Sequence, residues 1–295
     1  MTHETPDISG IGELSKPTTR FSFEEFSRQP EYRQVNRELV VRLAGYLPKN
    51  VFTHVDVATG TGLVPELIIE QAAQNGYERG AIIGVDPNRV SLQVARRIVP
   101  PPNISLEFIE GYGQDLARLT AGRISNGGAD SVSIHDAIHE IPGEENKRGI
   151  LTSMAGILKP GGVLSYNSAF TAKGMGESAM KWGKWKLEAM RKLGGRRDKL
   201  VEAIRIYTPG EYREMIEDTG LKVIHEDLRT VALSKDAIRA ISRYPAFIEG
   251  VFADMVGQSD VSIEDKSKAL IEAFDNLNLN SLERNWHEVI AQKVK

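Results

Sequence analysis

Two glycines and one acid carry the clearest chemical signal in this sequence. An apolar run over residues 51–57 enters a turn that contains Gly60 and Gly62, and Asp86 ends the next strand-like run. Glycines let backbone N–H groups approach a ligand closely, and a carboxylate after the second strand can accept hydrogen bonds from both ribose hydroxyls. The pattern predicts a nucleotide-binding strand and turn.

The elements around this turn must bring the glycines and the acid to one edge of a sheet. Leu67, Ile68 and Ala72 follow the turn at helical spacing, so the turn is predicted to open a helix. Strand-like runs then alternate with helical segments, and these runs cover residues 51–57, 81–85, 104–109, 129–134 and 162–166. Such alternation predicts an α/β fold of parallel strands with crossover helices.

Helical segments flank the alternating core. From the amino end, the predicted segments are a mobile stretch at 1–20, a helical segment at 21–50, a core at 51–170, a helical lid at 171–207, and the rest of the core at 208–295 with a helical insertion at 234–279. Thr208 and Glu211 form a capping-box pattern ahead of a helix. Two further strands are predicted at 221–231 and 286–294.

Composition excludes several classes of protein. The chain of 295 residues has no cysteine, which excludes disulfides and thiolate metal sites. No apolar run approaches the roughly 20 residues that span a bilayer, and the amino end lacks a signal-peptide pattern, so a soluble, cytoplasmic protein is expected. A net charge of −3 gives no overall attraction to nucleic acid, so nucleic-acid binding would need a local patch.

Five motifs, in this order along residues 51–170, resemble those of class I S-adenosylmethionine (SAM) dependent methyltransferases. They are Asp-Val-Ala-Thr-Gly-Thr-Gly at 56–62, Asp86, the segment 110–116, the segment 129–136, and Leu-Lys-Pro-Gly-Gly-Val-Leu at 158–164. The first motif is similar to the form found in quinone-ring C-methyltransferases. The Lys-Pro-Gly-Gly turn is the most discriminating of the five, because it follows a helix in register with the other four.

The resemblance implies SAM as cofactor and a doubly wound, seven-stranded Rossmann-like sheet with helical cap insertions. The residues implied in cofactor binding are Asp56, Ala58, Gly60, Gly62, Asp86, Pro87, Gly113, Gln114, Asp115 and His135. Two positions depart from the family: Ala58 replaces the usual first glycine, and Tyr112 stands where an aspartate is common. Gln114 or Asp115 is therefore expected to contact the adenine amine.

Dehydrogenases also combine a glycine turn with a following acid. A dinucleotide-binding turn needs a third small residue three positions after Gly62, where this sequence has Pro65. Proline suits the start of a helix but not a close approach to a diphosphate, which favours the methyltransferase interpretation.

His139 is the predicted catalytic base. It lies in the run Ala-Ile-His-Glu-Ile-Pro at 137–142, which resembles the segment where many small-molecule O-methyltransferases carry their base. Histidine can remove a proton from a hydroxyl or an acidic carbon near neutral pH. The alternatives are a purely structural histidine and a metal site shared with His135, but no third ligand has a characteristic spacing, so no metal is predicted.

Tryptophans and basic residues alternate in the predicted lid. Trp182 and Trp185 share one helical face, with lysines and arginines around it over residues 181–199. A lid over the substrate, an acidic-lipid patch, an RNA-binding arm and a plain cap helix are all compatible with this pattern, and the lid is the preferred function. Phe252 and Met255, in a second apolar stripe, are the other predicted substrate-lining residues, and the alternatives for that stripe are plain core packing and a homodimer contact.

The predicted function is methyl transfer from SAM to an oxygen or carbon of a small, largely apolar metabolite. One alternative is a methyltransferase-fold protein that binds SAM but catalyses a cyclisation or isomerisation. An RNA-binding or RNA-modifying protein is the other, because the basic residues at 181–199 would suit a polyanion.

Overall fold

The computed structural model describes residues 22–125, 127–169, 176–198 and 207–294. The predicted mobile stretch at 1–20 lies outside these ranges, as do residues 171–175 and 199–206 of the predicted lid.

Seven strands form a single sheet. From the amino end they are β1 Val51–Val57, β2 Arg79–Asp86, β3 Ile104–Glu110, β4 Ala129–His135, β5 Leu158–Ser168, β6 Leu221–Ser234 and β7 Ser281–Lys293. Their order is β3-β2-β1-β4-β5-β7-β6, with β1 to β5 parallel and β7 antiparallel to both of its neighbours. The predicted α/β class and seven-stranded sheet are confirmed.

Three strands begin earlier than their apolar runs indicate, β2 at Arg79 by two residues and β5 and β7 by more. β5 begins at Leu158 because this residue pairs with Ala129, ahead of a register shift in the β4–β5 ladder. β7 begins at Ser281 because its polar first residues pair with the end of β6. In both cases backbone pairing with a neighbour extends a strand beyond its apolar residues.

Helices cover both faces of the sheet. They are α1 Glu24–Ser27, α2 Pro30–Ala44, α3 Leu63–Gln74, α4 Arg89–Ala95, α5 Leu116–Leu119, α6 Glu144–Ile157, α7 Gly176–Lys192, α8 Pro209–Glu217, α9 Lys235–Ile241, α10 Pro245–Phe252 and α11 Ile263–Asn276. The capping box at α8 is confirmed, since Glu211 N donates to Thr208 Oγ1 at 3.2 Å and Thr208 N donates to Glu211 Oε2 at 2.7 Å.

The inserted helices pack on one another and on the sheet face that α2 and α3 cover. Trp185 of α7 is buried, and its indole Nε1 donates to Leu270 O of α11 at 2.7 Å. This contact fixes α7, the predicted lid helix, to the insertion between β6 and β7. Within the described residues, no helix combines the length and the apolar character needed to cross a membrane.

A row of buried polar side chains crosses the central strands on the face covered by α2. Alternate residues of a strand point to the same face, and the β1–β4 and β4–β5 registers align these residues across the sheet. The row consists of His54, Asp56, Ser131, Ser133, His135, Ser165 and Asn167. Strands that are covered on both faces are usually continuous apolar runs, so this row is an unusual feature of the sheet.

Asn36 of α2 joins two strands of this row. Its Oδ1 is 3.1 Å from His135 Nδ1 and accepts a hydrogen bond from Asn167 Nδ2 at 3.0 Å, and its own Nδ2 donates to Tyr32 O at 2.9 Å. All three polar side chains are buried. A buried donor without an acceptor costs about 1–3 kcal/mol, so Asn36 fixes α2 relative to β4 and β5.

Asn36→Ala should lower the free energy of unfolding by about 2–4 kcal/mol, because it leaves His135 and Asn167 each without one partner. The matched control is Gln34→Ala on the exposed side of the same helix, with an expected loss of at most about 0.5 kcal/mol. Urea unfolding of both variants measures the difference. Equal losses would contradict the proposed role of Asn36.

Candidate functional site

The predicted ligand-binding residues meet at one edge of the sheet. The glycine turn follows β1, Asp86 ends β2 and His135 ends β4. β1 lies between β2 and β4, so chain connections leave it in opposite directions. Ligands in open α/β sheets bind at such a point, beyond the carboxyl ends of the strands.

The turn after β1 has a left-handed backbone at three residues. Ala58 and Gly60 each have a φ of 53°, and Gly62, with a φ of 87°, precedes α3. A side chain at Gly62 would be strained by this φ and would also lie 2.6 Å from Ile98 Cδ1, so glycine is strongly favoured there. Ala58 adopts this backbone region with a side chain, at a cost of about 1–2 kcal/mol. Ala58, which replaces the usual first glycine of the family motif, is therefore a strained point of the turn.

Asp86 holds the glycine turn from the adjacent strand. Its Oδ2 accepts the Gly60 N–H at 2.8 Å, and its Oδ1 accepts the Asn88 N–H at 2.7 Å. Burial raises the pKa of the carboxyl group, and the two N–H donors oppose that shift. Each oxygen has a second lone pair, so the carboxylate can accept further hydrogen bonds from a ligand. Pro87, the next residue, is exposed.

The structure distinguishes the two side chains predicted to contact adenine. Gln114 Oε1 is buried and has no hydrogen-bond partner among the described residues. Asp115 is exposed, and its Oδ2 accepts a hydrogen bond from Arg118 Nη2 at 2.8 Å. Gly113, just before them, is buried against Val57 and Ile150. An unpaired buried acceptor requires a ligand donor or a water molecule, which favours Gln114 for this contact.

His135 and Asp56 belong to the polar row beneath α2. His135 Nδ1 lies 3.1 Å from Asn36 Oδ1, and its Nε2 lies 2.9 Å from Ser165 Oγ. Burial lowers the pKa of His135 to about 3, so the ring is neutral at pH 7. Asp56 accepts a hydrogen bond from Ser133, and burial raises its pKa to about 7. Direct cofactor contact by either residue stays a prediction.

Asp136 is a site residue that the sequence analysis did not single out. It follows β4 with a φ of 51°, and Asn167 accepts its N–H through Oδ1 at 2.8 Å and through the backbone oxygen at 3.1 Å. Its own Oδ1 accepts the Ala169 N–H at 3.1 Å. Burial raises the pKa of Asp136 to about 7, against the opposing effects of Ala169, Arg284 and Tyr32. Its position directly after a central parallel strand was the available signal.

His139, the predicted base, lies in a short 3-10 turn at Ile138–Glu140. Its Nδ1 is 4.0 Å from Asp136 Oδ1 and 3.4 Å from Ser168 Oγ. Burial and then the positive charges of Arg284 and Lys147 hold the pKa of His139 well below its usual value. The imidazole is therefore neutral at pH 7 but weakly basic.

Lys147 of α6 holds this turn in place. Its Nζ is buried and donates to Ile138 O at 2.7 Å and also to Ile141 O. Burial lowers the pKa of this lysine to about 8. Lys147 lies on the same face of α6 as Ile150 and Leu151, so a lysine within an apolar helical stripe was the signal for this buried contact.

An apolar cavity of about 30 Å³ lies beside Asp136. Its walls come from the ends of the sheet, from α1 and from the inserted helices. The lining residues are Phe26, Asp136, Ala169, Trp182, Leu233, Ile241, Phe247, Arg284 and Trp286. Two of them, Asp136 and Arg284, are charged, so a mainly apolar lining includes one carboxyl and one guanidinium group.

Of the four predicted substrate-lining residues, Trp182 lines this cavity. Trp185, Phe252 and Met255 are buried in the apolar core between the inserted helices. Arg284 and Trp286, both on β7, were not predicted, because their segment resembles an ordinary amphipathic strand. The role of the other three residues in substrate binding stays a prediction.

Acidic partners surround several basic residues of the predicted RNA-binding patch. Lys186 and Arg197 both pair with Asp254, at 2.8 and 2.9 Å, and Lys192 pairs with Glu272 at 3.2 Å. Such pairing reduces the positive potential that a polyanion requires. Across the residues that the structure describes, no group of three His, Asp or Glu side chains is arranged to hold a metal ion.

A family model matches most of the chain. The model describes a methyltransferase domain, and it matches residues 27–226, which includes the glycine turn, Asp86 and His139. A search of curated proteins gave no match.

Solved structures of similar fold include enzymes of several activities. A loganic acid methyltransferase with SAH has a TM-score of 0.62 at 10% identity, covering 95% of this chain and 98% of its own. The cyclopropane synthase MmaA2 from Mycobacterium tuberculosis has a TM-score of 0.53 at 14% identity, covering 94% of this chain and 90% of its own. The [4+2]-cyclase SpnF has a TM-score of 0.51 at 16% identity, covering 93% of this chain and 87% of its own. At these identities the likeness shows the fold alone.

Proposed function

Because this chain belongs to the class I SAM-dependent methyltransferase family, we propose that it transfers the methyl group of SAM to an oxygen or carbon of a small, largely apolar acceptor. The observation that carries this proposal is the convergence of the glycine turn, Asp86 and Asp136 at one edge of the sheet, where they follow or end β1, β2 and β4. An acceptor bound beside Asp136 would lie next to the predicted cofactor-binding residues. Aligning two reactants in this way is the main contribution an enzyme makes to methyl transfer.

The cofactor site is formed by backbone and side-chain groups that fit SAM. SAM supplies a methyl carbon that is already activated by a positively charged sulfur. The turn at residues 58–62 places its backbone at this edge, the Asp86 carboxylate that accepts the Gly60 N–H can also accept the ribose hydroxyls, and the buried Gln114 Oε1 can accept the adenine amine. These residues bind and orient, so the reaction needs no covalent intermediate on the protein.

Asp86→Asn should weaken binding of S-adenosylhomocysteine about 10–100-fold, because a neutral amide replaces a charged acceptor of two hydrogen bonds. Asp115→Asn is the matched control, with a change of at most about twofold, because Asp115 is exposed and paired with Arg118. Isothermal titration calorimetry measures the affinity of both variants for S-adenosylhomocysteine. Equal weakening in the two variants would argue against Asp86 as the ribose ligand.

Two neighbouring groups could accept the proton that leaves a hydroxyl or carbon acceptor. The sequence predicts His139, whose strongly lowered pKa makes it a weak base. Asp136 lines the cavity, and its pKa of about 7 is close to the value at which a general base is most effective at neutral pH. These two observations support Asp136 as the base and His139 as its neighbour.

Asp136→Asn should lower kcat/KM about 10²–10⁴-fold for an acceptor that must lose a proton, because the amide cannot act as a base but can still accept the Ala169 N–H. The kcat/KM of the wild-type protein should rise with pH through about 7, as the Asp136 carboxyl loses its proton, and the variant should lack that rise. His139→Ala is the comparison. A large loss of kcat/KM in His139→Ala, together with a wild-type pH dependence of kcat/KM in Asp136→Asn, would identify His139 as the base.

The transfer reaction itself is tested by product mass. The full chain is incubated with SAM and a panel of apolar acceptors that carry hydroxyls or acidic carbons. A product heavier by one methyl group in place of hydrogen, formed together with S-adenosylhomocysteine, supports the proposal. A product of unchanged mass would identify a cyclisation or isomerisation instead, and methyl transfer that requires added RNA would identify an RNA-modifying enzyme.

A further inference from the structure

We propose that the cavity beside Asp136 binds one ordered water molecule, which accepts a hydrogen bond from Trp286 Nε1 and donates one to the Asp136 carboxyl group. Trp286 thereby becomes a positioning residue for Asp136. The water site itself does not require methyl transfer. Its effect on catalysis rests on the proposed function, in which Asp136 removes a proton from the acceptor.

The cavity has space for a water molecule but not for an organic group with a ring. Its volume is about 30 Å³, whereas one water needs about 10–15 Å³ of such space and at least two polar partners. Aliphatic and aromatic side chains form most of the wall. An occupant therefore depends for its hydrogen bonds on the few polar groups in that wall.

Trp286 brings an unpaired donor to this wall. It is 1% exposed, and its indole Nε1 has no hydrogen-bond partner in the part of the chain that the structure describes. The other two tryptophans differ. Trp182 Nε1 donates to Glu283 O at 2.8 Å. Trp185 Nε1 donates to Leu270 O at 2.7 Å. An indole N–H can only donate, and leaving it buried without an acceptor is unfavourable, so Trp286 needs an acceptor from outside the chain.

Asp136 brings an acceptor to the same wall. Its side chain is 7% exposed, and its Oδ1 accepts the Ala169 N–H at 3.1 Å. A carboxylate has about four lone-pair positions on its two oxygens, so Asp136 can accept a further hydrogen bond. The cavity thus offers an occupant one donor and one acceptor, both shielded from bulk solvent.

These two groups select water among occupants of this size. The occupant must accept a hydrogen bond from an N–H group and donate one to a carboxyl group. A metal cation cannot accept from Trp286, and a chloride ion has no hydrogen to donate to Asp136. Water does both at once, and buried waters typically make about three hydrogen bonds.

The bound water would stabilise the ionised form of Asp136. A hydrogen bond donated to a carboxylate lowers its pKa, which here opposes the rise caused by burial. Loss of the Trp286 N–H removes a fixed partner of the water, so the pKa of Asp136 should rise further. The other titratable or charged groups that face Asp136 are unchanged by that loss, and they are Tyr32, His139, Glu140, Tyr166, Tyr244 and Arg284.

Water–protein NMR on the full, ¹⁵N-labelled chain tests the site without a variant and without turnover. The Trp286 indole N–H, assigned by triple-resonance spectra, should show a cross-peak to water. Paired laboratory-frame and rotating-frame NOE measurements distinguish a bound water from proton exchange. The Trp185 indole N–H is the internal control and should lack this cross-peak, because it is buried and donates to a backbone carbonyl.

Trp286→Phe should raise the pKa of Asp136 by about 0.5–1 unit, because phenylalanine keeps an aromatic ring but has no N–H to hold the water. Carboxyl ¹³C NMR titration measures this pKa, and the rise of kcat/KM should move to higher pH by the same amount. Tyr77→Phe is the matched control with no expected shift, since it removes a buried donor at the opposite edge of the sheet. Thermal unfolding establishes whether each variant is folded.

Two results would overturn the inference: no bound-water cross-peak on the assigned Trp286 indole, or an unchanged pKa of Asp136 in a folded Trp286→Phe variant. Both are distinct from failure of the proposed function. A bound water and a shifted pKa in a protein that transfers no methyl group would retain the water site and refute methyl transfer. Methyl transfer without the bound water would retain the transferase and refute the water site.

Discussion

Polar groups buried within the central sheet need hydrogen-bond partners, and this requirement determines where α2 lies. His135 on β4 and Asn167 on β5 both bond to Asn36, so α2 cannot shift along the sheet without breaking buried hydrogen bonds. Asn167 in turn accepts the backbone N–H of Asp136. The same network therefore fixes both α2 and Asp136, the residue proposed as the base.

The position of α2 also determines what covers the cofactor side. Arg33 of α2 pairs with Glu66 of α3 at 2.9 Å, and Arg37 pairs with Glu70 at 2.6 Å. Just before α2, Ser27 accepts a hydrogen bond from Thr61 of the glycine turn at 3.1 Å. The amino-terminal helices are thus joined by one hydrogen bond to the glycine turn and by ion pairs to α3, the helix that this turn opens.

The sequence was informative wherever the signal was local. The glycine turn, Asp86 and the five parallel strands come from motifs and apolar runs within a short stretch of chain, and the structure has the predicted sheet. Arg284 reaches the site through antiparallel pairing with β6, in which it lies opposite Val231. No local pattern specifies that pairing partner or the cavity it creates. Lys147 was overlooked for a related reason, because its carbonyl partners are defined only once the turn has folded.

Burial sets the protonation states of the titratable groups around Asp136. It brings the pKa of Asp136 up to about 7 and that of Lys147 down to about 8, and it lowers the pKa of His139, so at pH 7 Asp136 is only partly ionised, His139 is neutral and Lys147 stays mostly protonated. Arg284 alone among the four remains fully charged there. Because these pKa shifts arise from exclusion of water, the helices that cover the cavity do more than enclose it. They also maintain the basicity of Asp136 and the net positive charge around it, and bulk water entering the cavity would weaken the two together.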